Sequence, residues 1–324
     1  MLLQSGCVRS QSIFKEALNK AIFIGDHLGQ GLILRGQGQI EILRSHFEEA
    51  RTYYNKSLTI FKQIGSLQEE VKTWRSFGAL ERRAERYDLA NKAYEEALNI
   101  ARKISNIREE AKALLGIGRV KLKNGVPQDA LNLFKQVKIM FHKINDIWNE
   151  GVTWKQIGDA EKAMHHYSEA LSAYEQALSL FQYRGDKVDA ADMLRKKGNV
   201  EILIGHIERA YENYQQALKF FKQNNNERRK AKTLRKLGEL SQTINKFKEA
   251  QLFYEEGLLI FQKIEDFKKQ ARILENLGRL ALAQNSLSKA REYFNEAGNI
   301  YRKLGLNKSY SQITNLLTSE DPTP

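Results

Sequence analysis

Side chains that could do covalent chemistry are few in this sequence. Cys7 is the only cysteine, and no histidine or acidic residue stands at a fixed spacing from it. A single cysteine excludes an internal disulfide framework and a thiolate metal cluster, and it is typical of a protein from a reducing compartment. Nucleophilic catalysis at Cys7 would need a neighbouring base, so no such activity is expected.

Histidine offers a second kind of chemistry. His46, His166 and His206 fall in one column when the chain is written in rows of forty, and His165 adjoins His166. A zinc or pH-sensing ladder is one interpretation, but no carboxylate or cysteine shares that column to complete a ligand set. We therefore favour polar turn residues. Glycine pairs such as Gly36 and Gly38 lie within helical patterns and form no phosphate loop, so neither enzymatic activity, a metal nor a cofactor is predicted.

Lysine and arginine are the abundant reactive side chains. The 324 residues contain 52 Lys and Arg against 39 Asp and Glu, a net charge of +13. Such an excess favours an acidic partner. No stretch of about 20 apolar residues occurs, and the first residues lack the pattern of a secretion signal. The sequence thus predicts a soluble, cytoplasmic protein with no membrane partner.

The elements that position these cations repeat every forty residues. Four columns recur through seven rows: a large apolar residue, a glycine four residues later, an alanine, and an aromatic four residues after that alanine. The glycines are Gly38, Gly78, Gly118, Gly158, Gly198, Gly238 and Gly278, and the aromatics are Tyr54, Tyr94, Phe134, Tyr174, Tyr214, Tyr254 and Phe294. Such a fixed period indicates a repeat protein.

Each row predicts two helices joined by a tight turn. Apolar residues run at helical spacing twice, as in Leu234 to Leu240 and in Phe247 to Phe261, and the chain has only 3 prolines. A glycine inside a helix costs about 1 kcal/mol against alanine, so its recurrence predicts that the aromatic ring of the second helix presses on it.

These residues resemble the signature of the tetratricopeptide repeat, in a 40-residue form. Leu237-Gly238, Ala250, Tyr254 and Ala217 match it, and the match covers residues 31 to 310. The resemblance implies an all-α fold, a right-handed α-solenoid of about seven helix-turn-helix repeats with a half-repeat at each end. We expect one solenoid over 1–318, with repeats starting at 31, 71, 111, 151, 191, 231 and 271, half-repeats at 1–30 and 311–318, and a disordered tail at 319–324.

Positive charge is concentrated on the first helices. Taken as 31–44 and every forty residues onward, these helices hold 20 basic and 8 acidic residues, while the rest of the chain is nearly neutral. The resemblance implies that first helices line a concave groove, with the second, fifth and ninth residues of each repeat pointing inward. The predicted groove residues are Lys72, Arg75, Lys112, Arg119, Lys155, Arg195, Asn199, Lys232, Arg235, Arg272 and Arg279.

Three functions fit this charge. The favoured one is a non-enzymatic scaffold whose basic groove binds an acidic segment of a protein or peptide. In one branch of the resembled family such a groove clamps a terminal carboxylate; Arg195, Asn199 and Arg272 match that clamp, but Lys236 replaces an expected asparagine. A nucleic-acid binder is the alternative, disfavoured because the groove columns hold almost no aromatics for base stacking. The third is a sensor or oligomerisation part of a larger protein, with self-association through an exposed half-repeat.

Overall fold

The computed structural model describes the backbone of residues 2–318 and the side chains of residues 13–313. That part of the chain contains sixteen α-helices and no strand, as the repeat predicts. The expected tail at 319–324 lies outside the described residues. The helices are α1 Leu2–Phe23, α2 His27–Leu43, α3 Phe47–Gln63, α4 Leu67–Arg83, α5 Tyr87–Lys103, α6 Ile107–Lys123, α7 Pro127–Lys143, α8 Ile147–Ala163, α9 Tyr167–Tyr183, α10 Lys187–Leu203, α11 Ile207–Gln223, α12 Glu227–Thr243, α13 Phe247–Lys263, α14 Phe267–Ala283, α15 Leu287–Lys303 and α16 Asn307–Thr318.

Turns recur every twenty residues, twice per repeat. Each helix from α2 to α15 has 17 residues, and the second residue of each connection adopts a positive φ, as at Gly25 (70°), Ser45 (66°) and Gly65 (66°). The next residue donates its backbone N–H to the carbonyl five residues back, as Ser66 does to Phe61 at 2.9 Å. This bond is the helix stop in which a left-handed residue satisfies free carbonyl groups.

Several of the same connections also begin the next helix. The carboxylate of Asp26 accepts the backbone N–H of Gly29 at 2.8 Å, and Asn106, Asp146, Asn226 and Asp266 cap α6, α8, α12 and α14 in the same way. First helices therefore begin four residues before the row starts used above: α2 begins at His27 rather than 31, and α16 at Asn307 rather than 311. The cap fixes the helix start, whereas the rows were set by the buried columns.

The chain divides into two compact units, Met1–Ala173 and Tyr174–Pro324. Within each unit successive helices pack side by side, α2 on α3 and α4 on α5 in the first, α10 on α11 and α12 on α13 in the second. First helices also contact one another within a unit: α4 contacts α2 and α6, α6 contacts α8, and α12 contacts α14. Both units are thus stacks of helix pairs, the arrangement of an α-solenoid.

The recurring glycine lies against the recurring aromatic ring, as predicted. A Cβ added at Gly238 would lie 2.5 Å from Cε1 of Tyr254, and one at Gly78 would lie 2.9 Å from the ring of Tyr94. The same contact joins Gly38 to Tyr54, Gly118 to Phe134, Gly198 to Tyr214 and Gly278 to Phe294. These rings are almost entirely buried. Only glycine leaves room for them, which explains the two columns together.

Candidate binding site

All the predicted groove residues lie on first helices. Lys72 and Arg75 are on α4, Lys112 and Arg119 on α6, Lys155 on α8, Arg195 and Asn199 on α10, Lys232 and Arg235 on α12, and Arg272 and Arg279 on α14. Most are half-buried, while Arg272 and Arg279 are exposed and Arg235 is only 9% exposed. The predicted groove cations differ in whether the protein itself provides a carboxylate as an ion-pair partner.

In the first unit the lysine and arginine charges are largely balanced. Lys72 Nζ lies 2.6 Å from Glu69, and Arg75 together with Lys112 binds the buried carboxylate of Glu109. Burial alone would raise the pKa of Glu109, but Arg75 and Lys112 outweigh it and hold the pKa below its ordinary value. These predicted cations are therefore already paired within the protein.

Arg119 has a different environment. Its Nε donates to the Gln156 side chain at 3.1 Å, a neutral acceptor. Burial and the nearby charge of Arg82 lower the pKa of Arg119 to about 10. Arg82 was not among the predicted residues, although it lies seven residues after Arg75, two turns along the same helix face, a spacing visible in the sequence.

Some predicted cations of the second unit are also paired. Arg195 Nη2 lies 3.0 Å from Asp192, and Arg279 Nη2 lies 2.9 Å from Glu275. Asn199 uses its side-chain oxygen to accept the Tyr214 hydroxyl at 2.9 Å. Each of these partners except Tyr214 stands three or four residues away on the same helix, the ordinary spacing of intrahelical ion pairs.

Four cations of the second unit form what we call the α12/α14 cluster: Lys232, Arg235, Lys269 and Arg272. Among the described residues no carboxylate lies within ion-pair distance of Lys232, Lys269 or Arg272, while Arg235 pairs with Glu239. Asn276 of α14 donates to the same Glu239 at 3.2 Å, which holds the two helices together.

The pKa values of Lys232, Arg235 and Lys269 in the α12/α14 cluster are lowered by burial and by neighbouring positive charges. Burial lowers the pKa of Lys232, and the charges of Arg195 and Arg228 lower it further. Burial also lowers the pKa of Lys269; the charge of Asp266 opposes this change, and the cations Lys232, Arg272 and Arg235 add to it. The pKa of Arg235 falls to about 10, through burial and then the charge of Arg272. A bound anion would relieve this repulsion.

Equivalent positions of the two units differ in the sign of the charge that stands beside the arginine. Arg35 binds Glu69 at 2.7 Å and Arg75 binds Glu109, in both cases a partner 34 residues later on the next first helix. The residue 34 positions after Arg235 is Lys269, and the two side chains repel each other. The α12/α14 cluster thus has a cation where the first unit has a carboxylate. Lys269 was missed because it precedes residue 271, the repeat start from which the groove positions were counted.

The histidine column has a carboxylate partner that the sequence analysis overlooked. His46, His166 and His206 each lie within hydrogen-bond distance of a buried glutamate five residues earlier, at Nδ1 to Oε2 distances of 2.9, 3.0 and 2.9 Å. Each pair ties the turn to the end of the first helix. No group of three potential metal ligands converges within the described residues. Over residues 2–318, no helix combines the length and apolar character needed to span a membrane.

Two family models match parts of the chain. Residues 69–138 match a tetratricopeptide-repeat model, and residues 149–258 match the model of soluble NSF attachment proteins. Among curated proteins, none matches the sequence significantly.

Solved structures share the fold at low sequence identity. A signal-transduction ATPase with numerous domains from Pyrococcus horikoshii, which has a tetratricopeptide-repeat sensor, is 14% identical with a TM-score of 0.69; the match covers 92% of this chain and 46% of that one. The apo quorum sensor NprR from B. thuringiensis is 14% identical with a TM-score of 0.68, covering 91% and 83%. A Rap protein in complex with competence and sporulation factor is 14% identical with a TM-score of 0.58, covering 96% and 97%.

Proposed function

We propose that this chain is a non-enzymatic scaffold of the tetratricopeptide-repeat type that binds an acidic segment of another protein at its α12/α14 cluster. The observation that carries this proposal is Lys269, a half-buried lysine at the position where the first unit has a carboxylate. The missing negative charge is supplied by the partner. Similarity to a Rap protein complexed with competence and sporulation factor and to the quorum sensor NprR supports a binding role for this fold.

The proposed binding site is smaller than the basic groove that the sequence predicts, because it is restricted to the α12/α14 cluster. Lys72, Arg75 and Lys112 would have to give up Glu69 or Glu109 before they could pair with a ligand. Leaving a buried carboxylate without its cation is costly. Lys232, Lys269 and Arg272 give up no internal ion pair, so an acidic ligand gains most by binding there.

A charge reversal at Lys269 tests the proposal. Lys269→Glu places a carboxylate beside Arg235 and reproduces the Arg75–Glu109 arrangement inside the second unit. We expect this variant to fold with unchanged or raised Tm and to bind short fluorescent Glu/Asp-rich peptides at least about tenfold more weakly, since a like charge now opposes the ligand. Lys268→Glu is the matched control, because it makes the same charge change at the adjacent exposed position.

The measurement is fluorescence anisotropy at fixed salt, with mixed-sequence RNA beside the peptides. Peptide binding that survives in Lys268→Glu and fails in Lys269→Glu supports the scaffold. Equal losses in the two variants, or no binding of any acidic peptide, overturn it. RNA that binds more tightly than every peptide, and is weakened alike by both changes, would instead assign the surface to nucleic acid.

A further inference from the structure

Resting on the proposed function, we infer that the three unpaired cations Lys232, Lys269 and Arg272 form a subsite for a phosphate monoester carried by the bound protein segment. The inference specifies the ligand's chemistry: a phosphorylated side chain rather than a carboxylate is the group that matches this part of the α12/α14 cluster. It is carried by the number and placement of the unpaired cations.

The number of positive charges without an ion-pair partner favours a phosphate monoester over a carboxylate as the ligand group. Arg235 shares the carboxylate of Glu239 with Lys236, and Asp266, whose charge acts on Lys269, pairs with Arg228 at 3.4 Å. Among the described residues, Lys232, Lys269 and Arg272 have no carboxylate within ion-pair distance, so cations outnumber carboxylates here. A glutamate or aspartate of the ligand brings one charge and two acceptor oxygens, whereas a phosphate monoester brings about 1.5 to 2 charges and three acceptor oxygens at one point.

The three side chains come from two helices that contact each other. Lys269 and Arg272 are three residues apart on α14 and so lie on one face of that helix. Lys232 projects from α12, which contacts α14 directly, and its charge is close enough to lower the pKa of Lys269. Lysine ammonium groups donate in any direction, so two lysines and one arginine fork can surround a tetrahedral anion.

The start of α14 adds to this preference. Lys269 is the third residue of α14, and the first turn of that helix contains no acidic residue. The equivalent first turns of α4 and α6 each contain two glutamates, Glu69 and Glu70 in one and Glu109 and Glu110 in the other. The start of α14 therefore carries one carboxylate, that of its N-cap Asp266, which accepts the backbone N–H of Lys269 at 3.3 Å. Fewer acidic side chains at this helix start oppose a bound anion less than the glutamates of α4 and α6 would.

The experiment compares one peptide in three forms. An acidic peptide that binds the wild type is synthesised with serine, glutamate or phosphoserine at a single position, and each position is tested in turn by anisotropy. We expect phosphoserine at one position to tighten binding at least about tenfold over glutamate there. In Lys232→Gln and Arg272→Gln that gain falls to about twofold or less, while in Lys268→Gln it is unchanged.

The outcomes separate this inference from the proposed function. Phosphoserine and glutamate that bind equally at every position overturn the phosphate subsite, yet leave acidic-segment binding in place. Loss of binding by all three forms in Lys268→Gln as well overturns both. Inorganic phosphate and phosphoserine alone are titrated as competitors. Competition by millimolar phosphoserine supports the subsite, and a free-phosphate affinity equal to that of the phosphopeptide shows an isolated anion site and overturns the segment-borne phosphate.

Discussion

At the residue scale, equivalent arginines differ in what their own chain provides. Arg75 has the buried carboxylate of Glu109 beside it, while Arg235 has the ammonium group of Lys269. This arginine position therefore carries an ion pair between first helices in the first unit, and under the proposed function it lies beside the bound acidic segment in the second unit. The contribution of the Arg75–Glu109 ion pair can be tested by measuring the free energy of unfolding.

Replacing Glu109 by Gln should make the protein less stable at pH 7 by about 1.5–3 kcal/mol, because Arg75 and Lys112 lose a charged hydrogen-bond acceptor. The folded pKa of Glu109 is lowered from 4.5, so its stabilisation is present above that pH and is lost as the pH falls through the folded pKa. Urea unfolding at pH 7 and pH 3 checks this prediction. The difference in free energy of unfolding between the variant and the wild type should be larger at pH 7 than at pH 3.

Glu110→Gln is the control for that measurement. Glu110 pairs at 2.9 Å with Arg102, whose side chain is 54% exposed, and exposed ion pairs contribute about 0–1 kcal/mol. A Glu109 variant that is no less stable at pH 7 than the Glu110 variant would show that Glu109 does not stabilise the first unit.

At the element scale, the helix pairs and their internal contacts could be predicted from the sequence. The contact of Gly238 with Tyr254 follows from two columns that recur together, because a helix keeps a costly glycine only where another group needs the space. The location of the predicted groove residues on first helices could be predicted as well. The ion pairs of these residues with Glu69, Asp192 or Glu275 could not be predicted, because they depend on the rotamers of side chains three or four positions apart. Other ion pairs join residues 34 positions apart and depend on how neighbouring first helices pack.

Two glycines of the second unit test the packing explanation. Gly238→Ala should lower the free energy of unfolding by about 1–3 kcal/mol, because its Cβ would meet the buried ring of Tyr254 at 2.5 Å. Gly298→Ala, also inside a helix, has no neighbour nearer than 3.7 Å and should raise the free energy of unfolding by about 0.5–1 kcal/mol. Thermal and urea unfolding of the pair decide the matter; shifts of the same sign would contradict the explanation.

At the scale of the whole molecule, stability is expected to depend on neighbouring helices. Within each unit, successive helices pack against each other, and in such repeat proteins the free energy of unfolding is close to a sum of local contributions. Sequence alone indicates this organisation through the fixed period, but it does not indicate the division at Ala173 and Tyr174, because the columns continue through that point without interruption.

Replacing Ala210 by Leu tests that expectation. Ala210 is fully buried, and its carbonyl lies 3.2 Å from where a Cβ of Gly198 would be, so a larger side chain separates α10 from α11 at a cost of about 1–3 kcal/mol. Hydrogen exchange should accelerate in α10, α11 and α12 and stay unchanged in α3 to α6. Arg209→Leu, at the adjacent exposed position, should leave both regions as they are, and uniform acceleration along the chain would contradict local stability.

The uniform connections make the helix pairs interchangeable. Removing residues 66–105 would join Gly65, a left-handed residue, to Asn106, a residue that caps the next helix, so the junction keeps the chemistry of a natural one. After this excision Glu109 stands 34 residues after Arg35, the separation that Glu69 has now, so the ion pair between first helices is re-formed with a new partner. Genetic duplication or loss in steps of forty residues therefore preserves both the turns and the internal salt bridges, and the number of binding positions can change without redesign of the fold.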